Sequence, residues 1–216
     1  IPDTSDGVLT EAPRNVMQGY TLMAQEAIDQ LPYAGPPTHI FVQAGVGGMA
    51  AAVAARFWQR FGPGGFKTIL VEPRQAACWY HSLKAGKPVA VTEGLDSLMA
   101  GLACGEVSRL AWTILAPVTD AMITVEDGAA ADCMRLMAAG SLSGKPMVTG
   151  ESAVAGLAGF LAAASEDSAR ATLGIERGSR VLLFGTEGAS DPETYAAIVG
   201  RSAGEIERSD RSGNAD

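Results

Sequence analysis

The chain has 216 residues, 47% hydrophobic and 19% charged, which suits one ordinary domain with a sizeable core and excludes wholesale disorder. Sixteen basic and 24 acidic residues leave a net charge of -8, which repels phosphate backbones and anionic lipid and argues against nucleic acid as a partner. No apolar run reaches the roughly 18 residues of a membrane span, and three cysteines make no disulfide scaffold, which points to a reducing, cytoplasmic compartment.

The chain opens Ile1-Pro2-Asp3 without an initiator methionine, and an upstream segment, with any targeting signal, is expected to be missing. After a loop rich in Asp, Gly and Pro, residues 16–31 predict an amphipathic helix, ended by Pro32 and the Gly35-Pro36-Pro37 turn. His39–Gln43 predicts a buried strand, Gly45 to Gly48 a tight loop, and residues 49–61 the helix it opens. Gly62-Pro63-Gly64-Gly65 ends that helix, and residues 67–71 predict the next strand, stopped by Pro73. Residues 75–85 and 106–115 read as helical, Ala121–Val125 as a strand, 126–139 as a helix and 151–164 as a small-residue helix. A last buried strand is expected at 180–184, before Gly185-Thr186-Glu187-Gly188, and from Gly200 a polar, mobile tail. Short apolar runs alternating with periodic segments predict an α/β fold, a parallel sheet with helices on both sides.

Twenty-six glycines, where an average chain of this length holds roughly 15, fall in short clusters between the apolar runs. The sharpest cluster is Gly45-Val46-Gly47-Gly48-Met49-Ala50, between a strand and a helix. Such a loop can turn successive N–H groups toward one spot at a helix N-terminus, forming a phosphate cradle, or it can be a plain turn. Gly45-x-Gly47-x-x-Ala50 also satisfies the dinucleotide fingerprint, with Glu72 near the place of a ribose-binding acid, which keeps an NAD-binding Rossmann reading open. Glu72 runs directly into Pro73, and further glycine-lined loops downstream fit a one-phosphate cofactor with separate ring contacts better.

Ala44 to Met49, Val71-Glu72-Pro73, Gly94-Leu95-Asp96, Met99-Ala100-Gly101-Leu102, Thr149-Gly150-Glu151-Ser152 and Thr186-Glu187-Gly188 together resemble pyridoxal-phosphate enzymes of fold type II, the relatives of threonine dehydratase and the tryptophan synthase β-subunit. Asp3-Thr4, Met17-Gln18-Gly19-Tyr20 and the stretch from Met99 to Gly105 resemble the diaminopropionate ammonia-lyases among them. The resemblance covers the chain to about Tyr195 and implies a three-layer large domain over residues 1–200, the C-terminal half of the enzyme. It also implies that the small domain bearing the Schiff-base lysine is absent. Lys67, in a Phe-Lys context, opens a strand and is read as a strand-edge charge, and Lys84, Lys87 and Lys145 sit near polar turns. The chain is therefore expected to be a fragment, inactive alone.

The activity implied is α,β-elimination of 2,3-diaminopropionate to pyruvate and ammonia on pyridoxal 5'-phosphate, with a serine/threonine dehydratase-type lyase as alternative. By the resemblance Gly45, Val46, Gly47, Gly48 and Met49 cradle the phosphate, Gly94 passes the ring, and the Thr186 hydroxyl meets the ring nitrogen. Gln18 and Gly19 lie near the substrate, and Asp3 is the acid/base. Each has a plainer reading, as helix start, turn hydroxyl or cap, and Glu151 reads best as a cap. Cys78 and Cys104 match paired positions among relatives, with two buried thiols the simpler reading. His39 and His81 have no acidic or thiol partners at metal-ligand spacing, so no metal is expected. The three tryptophans read as helix-face packing, and a homodimer is implied because relatives form one.

Overall fold

The computed structural model describes residues 11–142 and 144–212. Its frame is a parallel sheet of four strands, β1 (His39–Gln43), β2 (Lys67–Pro73), β3 (Ala121–Val125) and β4 (Val181–Leu183), in the order β3-β2-β1-β4. All five residues of β1 are buried, as are six of seven in β2, which explains why these strands read as continuous apolar runs without alternation. Pairing is in register, His39 beside Lys67 and Val181, and Ile69 beside Ala121.

Alternate residues of these strands feed two cores. Ile40, Val42 and Leu70 pack with α1 (Glu11–Asp29), α2 (Gly48–Phe61) and α4 (Arg109–Leu115), through Ala24, Phe57 and Leu115 among others. Phe41, Ile69 and Val71 face the opposite side, toward α5 (Asp127–Ala138) and α6 (Ala155–Ser165), through Met134 and Leu157. The fold is therefore α/β with helices on both faces of a parallel sheet, as the patterning predicts.

Several boundaries differ. α1 runs over Glu11–Asp29 among the described residues and so includes residues ahead of the expected 16, Pro13 among them. α3 (Cys78–Ala85) starts later than expected, after a 3-10 turn at Arg74–Ala76. Residues 151–154 are turn where helix was expected, because the Ser152 N–H goes to Glu187 Oε2 (2.8 Å) and its hydroxyl accepts from Gly101 N (3.1 Å). Glu151 consequently caps nothing: α6 starts at Ala155 without a side-chain cap.

Three helices were not anticipated. Glu166 caps α7 (Asp167–Leu173), accepting from Ser168 N and Ala169 N. Asp191 caps α8 (Pro192–Val199), with proline at the helix start and Gly200 at its end. The tail expected to be mobile is helical over α9 (Ala203–Ser212), where the Glu205 carboxylate accepts from both Ser202 N and the Ser202 hydroxyl and Ile206 is buried. No helix among the described residues is long and apolar enough to cross a membrane.

Candidate active site

The site lies beyond the C-terminal ends of β1 and β4, the usual place for ligands in open parallel sheets. After Gln43 the chain turns through the glycine loop into α2. Gly47 is the N-cap with φ 98, a left-handed backbone that glycine adopts without penalty. A Cβ there would lie 2.3 Å from Trp79 Cζ2, so no other residue fits.

Hydrogen-bond accounting shows which way the loop faces. Gly45 O accepts from Trp79 Nε1 (2.9 Å), Val46 O from Ser108 N (2.8 Å) and Gly47 O from Ala51 N (2.9 Å). The N–H groups from Gly45 to Ala50 have no protein acceptor among the described residues, and the same six residues border one cleft. Carbonyls tied back into the protein, with free amides at the start of a 14-residue helix, make a site for an anion.

Thr186 closes the other side of this cleft, whose volume is about 240 Å³. It gets there because β4 pairs with β1 in parallel, so the segment leaving the end of β4 emerges beside the glycine loop that leaves β1. Gln43 joins the two: its Nε2 donates to Phe184 O (2.7 Å) and to Thr186 Oγ1 (3.3 Å). Since Thr186 Oγ1 accepts there, its own proton is available to a ligand. Gly101, Ser152 and Glu187 complete the wall. Glu187 accepts from Ser152 N (2.8 Å) and the Ser190 hydroxyl (3.2 Å). Beside it, burial pushes the Glu151 carboxyl up, and the nearby Glu187 and Asp191 carboxylates push the same way.

The loop residues Gly45, Val46, Gly47, Gly48 and Met49 and the distant Thr186 therefore share one cavity. Gln18 and Gly19 do not border it: both are exposed on α1, and the neighbouring Tyr20 reaches the cleft instead. Gly94 does not border it either; it lies in an exposed loop with φ 71. Asp3 lies outside the described residues. Trp79, expected to be simple helix-face packing, stacks on Trp112 and supports the loop from below.

Glu72 overturns the dinucleotide reading. It is fully buried, out of reach of a ribose, and its two carboxylate oxygens accept from Trp79 N (3.0 Å) and Tyr80 N (2.8 Å) within the protein. Lys67 stands at the start of β2, beside His39 and at the far end of the sheet from the glycine loop, and its Nζ donates to Leu173 O (2.6 Å). No lysine or arginine borders the cleft among the described residues. His39 is held through its two ring nitrogens by Thr38 Oγ1 (2.8 Å) and Leu173 O (2.9 Å), the bonding of a satisfied core histidine.

Comparison with known proteins agrees with this geometry. The family profile described as "Pyridoxal-phosphate dependent enzyme" matches residues 8–183. The chain is 36% identical over 204 residues to the diaminopropionate ammonia-lyase of Escherichia coli strain K12, across 92% of the chain and 51% of that enzyme. It thus spans about half the length of this relative. The crystal structure of Escherichia coli diaminopropionate ammonia lyase in complex with an aminoacrylate-PLP azomethine reaction intermediate matches 91% of the chain and 51% of its own at TM-score 0.83 and 34% identity. Threonine deaminase isoform 2 from Solanum lycopersicum, at 21% identity, shares the fold, with TM-score 0.72 over 93% of the chain and 51% of its own. An anion cradle of backbone amides, a hydroxyl across from it and a family profile spanning most of the sequence agree: the chain belongs to the pyridoxal-phosphate-dependent enzymes of fold type II.

Proposed function

We propose that this chain supplies the cofactor-binding half of a diaminopropionate ammonia-lyase, which with one water converts 2,3-diaminopropionate to pyruvate and two molecules of ammonia. The observation that carries the reading is the shared cleft: the glycine loop and Thr186, some 140 positions apart in sequence, face one cavity sized for a small cofactor. The identity to the Escherichia coli enzyme supports the choice of substrate within the family.

Bound pyridoxal phosphate supplies an electron sink for charge developing at the substrate α-carbon. The protein's part is to hold and orient. The amides from Gly45 to Met49, aided by the dipole of α2, bind the phosphate. The Thr186 hydroxyl, aligned by Gln43, donates to the ring nitrogen. A hydroxyl shares its proton without transferring it, so Thr186 would hold the ring nitrogen without charging it. That favours elimination over racemisation or transamination. Asp3 serves as acid or base at the substrate, and Tyr20 takes the substrate-facing place first expected of Gln18 and Gly19.

Residues 1–200 then act as the large domain, and a longer polypeptide provides the lysine-bearing small domain; alone, this chain is inactive. A cytoplasmic homodimer is part of the same reading. The test uses the intact protein: a visible absorption band from bound cofactor, and pyruvate release from 2,3-diaminopropionate measured against serine and threonine. Pyruvate from serine or threonine alone would replace the reading by a dehydratase, and absence of cofactor absorption would end it.

A further inference from the structure

Glu72 does not border the cleft, yet it is a fully buried carboxylate close behind the glycine loop. It stands near the end of β2, beside Thr124 of β3, and its two oxygens accept from Trp79 N and Tyr80 N. These are first-turn N–H groups of α3, a helix whose own N-cap residue, Ala77, offers no side-chain acceptor. A carboxylate seven positions earlier in the chain thus caps the helix that carries Trp79. Trp79 in turn does two things to the loop: its Nε1 donates to Gly45 O at 2.9 Å, and its ring lies directly under Gly47. The ring is fixed from behind by Trp112 of α4, stacked at 5.9 Å between centroids. The same region of α4 sets the next carbonyl, because Ser108, its N-cap, donates its N–H to Val46 O.

We infer that Glu72 is a positioning residue of the anion cradle: it fixes the start of α3, α3 fixes Trp79, and Trp79 holds the Gly45 carbonyl back so that the loop amides stay turned to the cleft. The inference rests on the phosphate-cradle reading of the loop. Its chemistry is orientation alone. Glu72 does not border the cleft, and the effect passes through the Trp79 indole N–H and ring, with the Cys78 thiol a weaker second donor to Gly45 O (3.8 Å).

The test compares pyridoxal phosphate with pyridoxal, which has the same ring and no phosphate, as ligands of the cofactor-free intact protein. Wild type, Glu72→Gln and Trp79→Phe are titrated with each, and their thermal midpoints are recorded. Trp79→Phe keeps an aromatic ring against Gly47 and loses the donor to Gly45, so it reports on the link even where a Glu72 variant folds poorly. Glu72→Asp, which keeps the charge one methylene short, is the third variant. Glu72→Gln and Trp79→Phe should each weaken pyridoxal phosphate about tenfold and leave pyridoxal within about twofold, and the double variant should lose little more than the worse single one. Equal weakening of both ligands would make Glu72 a merely structural residue and overturn the inference. Undiminished phosphate preference in Trp79→Phe would also overturn it, with the cradle intact. Wild type binding both ligands equally would overturn the cradle itself and this inference with it.

Discussion

Replacing Glu72 by glutamine should remove a decline in stability that runs from acid to neutral pH. Burial pushes this carboxyl up from an ordinary value of 4.5 to about 7, against the two backbone N–H groups that favour its charged form. The unfolded chain releases the proton near 4.5, so between these values the folded state binds it more tightly. A folded pKa above the unfolded one means the stabilisation is full below about 4.5 and is lost as pH rises through about 7. The difference is worth about 3 kcal/mol, most of it between pH 5 and pH 8. Against a total stability of roughly 5–15 kcal/mol for an ordinary domain, that is readily measured. Glutamine keeps the shape but sets an amide donor against one helix N–H, a loss of about 1–3 kcal/mol that does not vary with pH. The neighbouring Cys78 thiol, pushed up to about 12 by burial, by Glu72 and by Cys104, keeps its proton throughout this range and adds no slope. Urea unfolding of both proteins at pH 5 and pH 8, followed by tryptophan fluorescence, isolates the effect, since every other group cancels in the difference. The variant should gain about 2–3 kcal/mol on the wild type between pH 5 and pH 8. An unchanged gap would show that Glu72 titrates at its ordinary value and refute the argument from burial.

Three other outcomes are expected of the site. Gly47→Ala should cost about 2–4 kcal/mol, through a left-handed backbone and a Cβ 2.3 Å from the Trp79 ring, and should weaken pyridoxal phosphate more than tenfold; thermal melting and cofactor titration read both, and undiminished affinity would remove the loop from the phosphate. Thr186→Asp, which can protonate the ring nitrogen, should shift products from elimination toward racemisation or transamination with little effect on folding, and an unchanged product profile would place Thr186 elsewhere. Because backbone dipoles and no cationic side chain face the cleft among the described residues, affinity for pyridoxal phosphate should change less than about threefold between 0.05 and 0.5 M salt; a steep fall would point to a lysine or arginine partner.

The strands and the loop were legible because their signals are local. A parallel strand is a short apolar run, and both His39–Gln43, buried throughout, and Ala121–Val125, half-buried at the sheet edge, are such runs. The loop is a strand, four residues and a helix in sequence. Even the reach of Thr186 is evident once β4 is taken as a neighbour of β1. Which side of α1 borders the cleft was also open to a reading of the sequence. Met17, Ala24 and Ile28 mark its buried stripe, and at 100° per residue Tyr20 falls back beside that stripe while Gln18 and Gly19 turn away. α8 and α9 carry start signals in Asp191-Pro192 and Ser202-x-x-Glu205; polar composition hides only α9, since α8 is apolar from Tyr195 to Val199. Glu72 is a different case. An acid closing a strand looks the same whether it meets a ribose or caps a helix seven residues on, and only the path of the intervening turn decides.

The acidity of the chain and the anionic charge of its cofactor look opposed, and the geometry resolves the conflict by distance. At physiological salt, charges farther than about 8 Å are largely screened, so a net charge of -8 spread over the surface is weak inside the cleft. What acts there is the local arrangement: unpaired amides at the head of α2, with their carbonyl partners bonded to Trp79, Ser108 and Ala51 on the far side. Those amide dipoles cannot reorient, because each carbonyl is anchored separately and Gly47 sits on an indole that is itself stacked. A lysine cluster would attract the phosphate as well but would also bring flexible chains that must be ordered on binding. A backbone site is already ordered when the protein folds. Its strength therefore depends on residues that never touch the ligand, and the buried carboxylate under α3 belongs with the loop as one device.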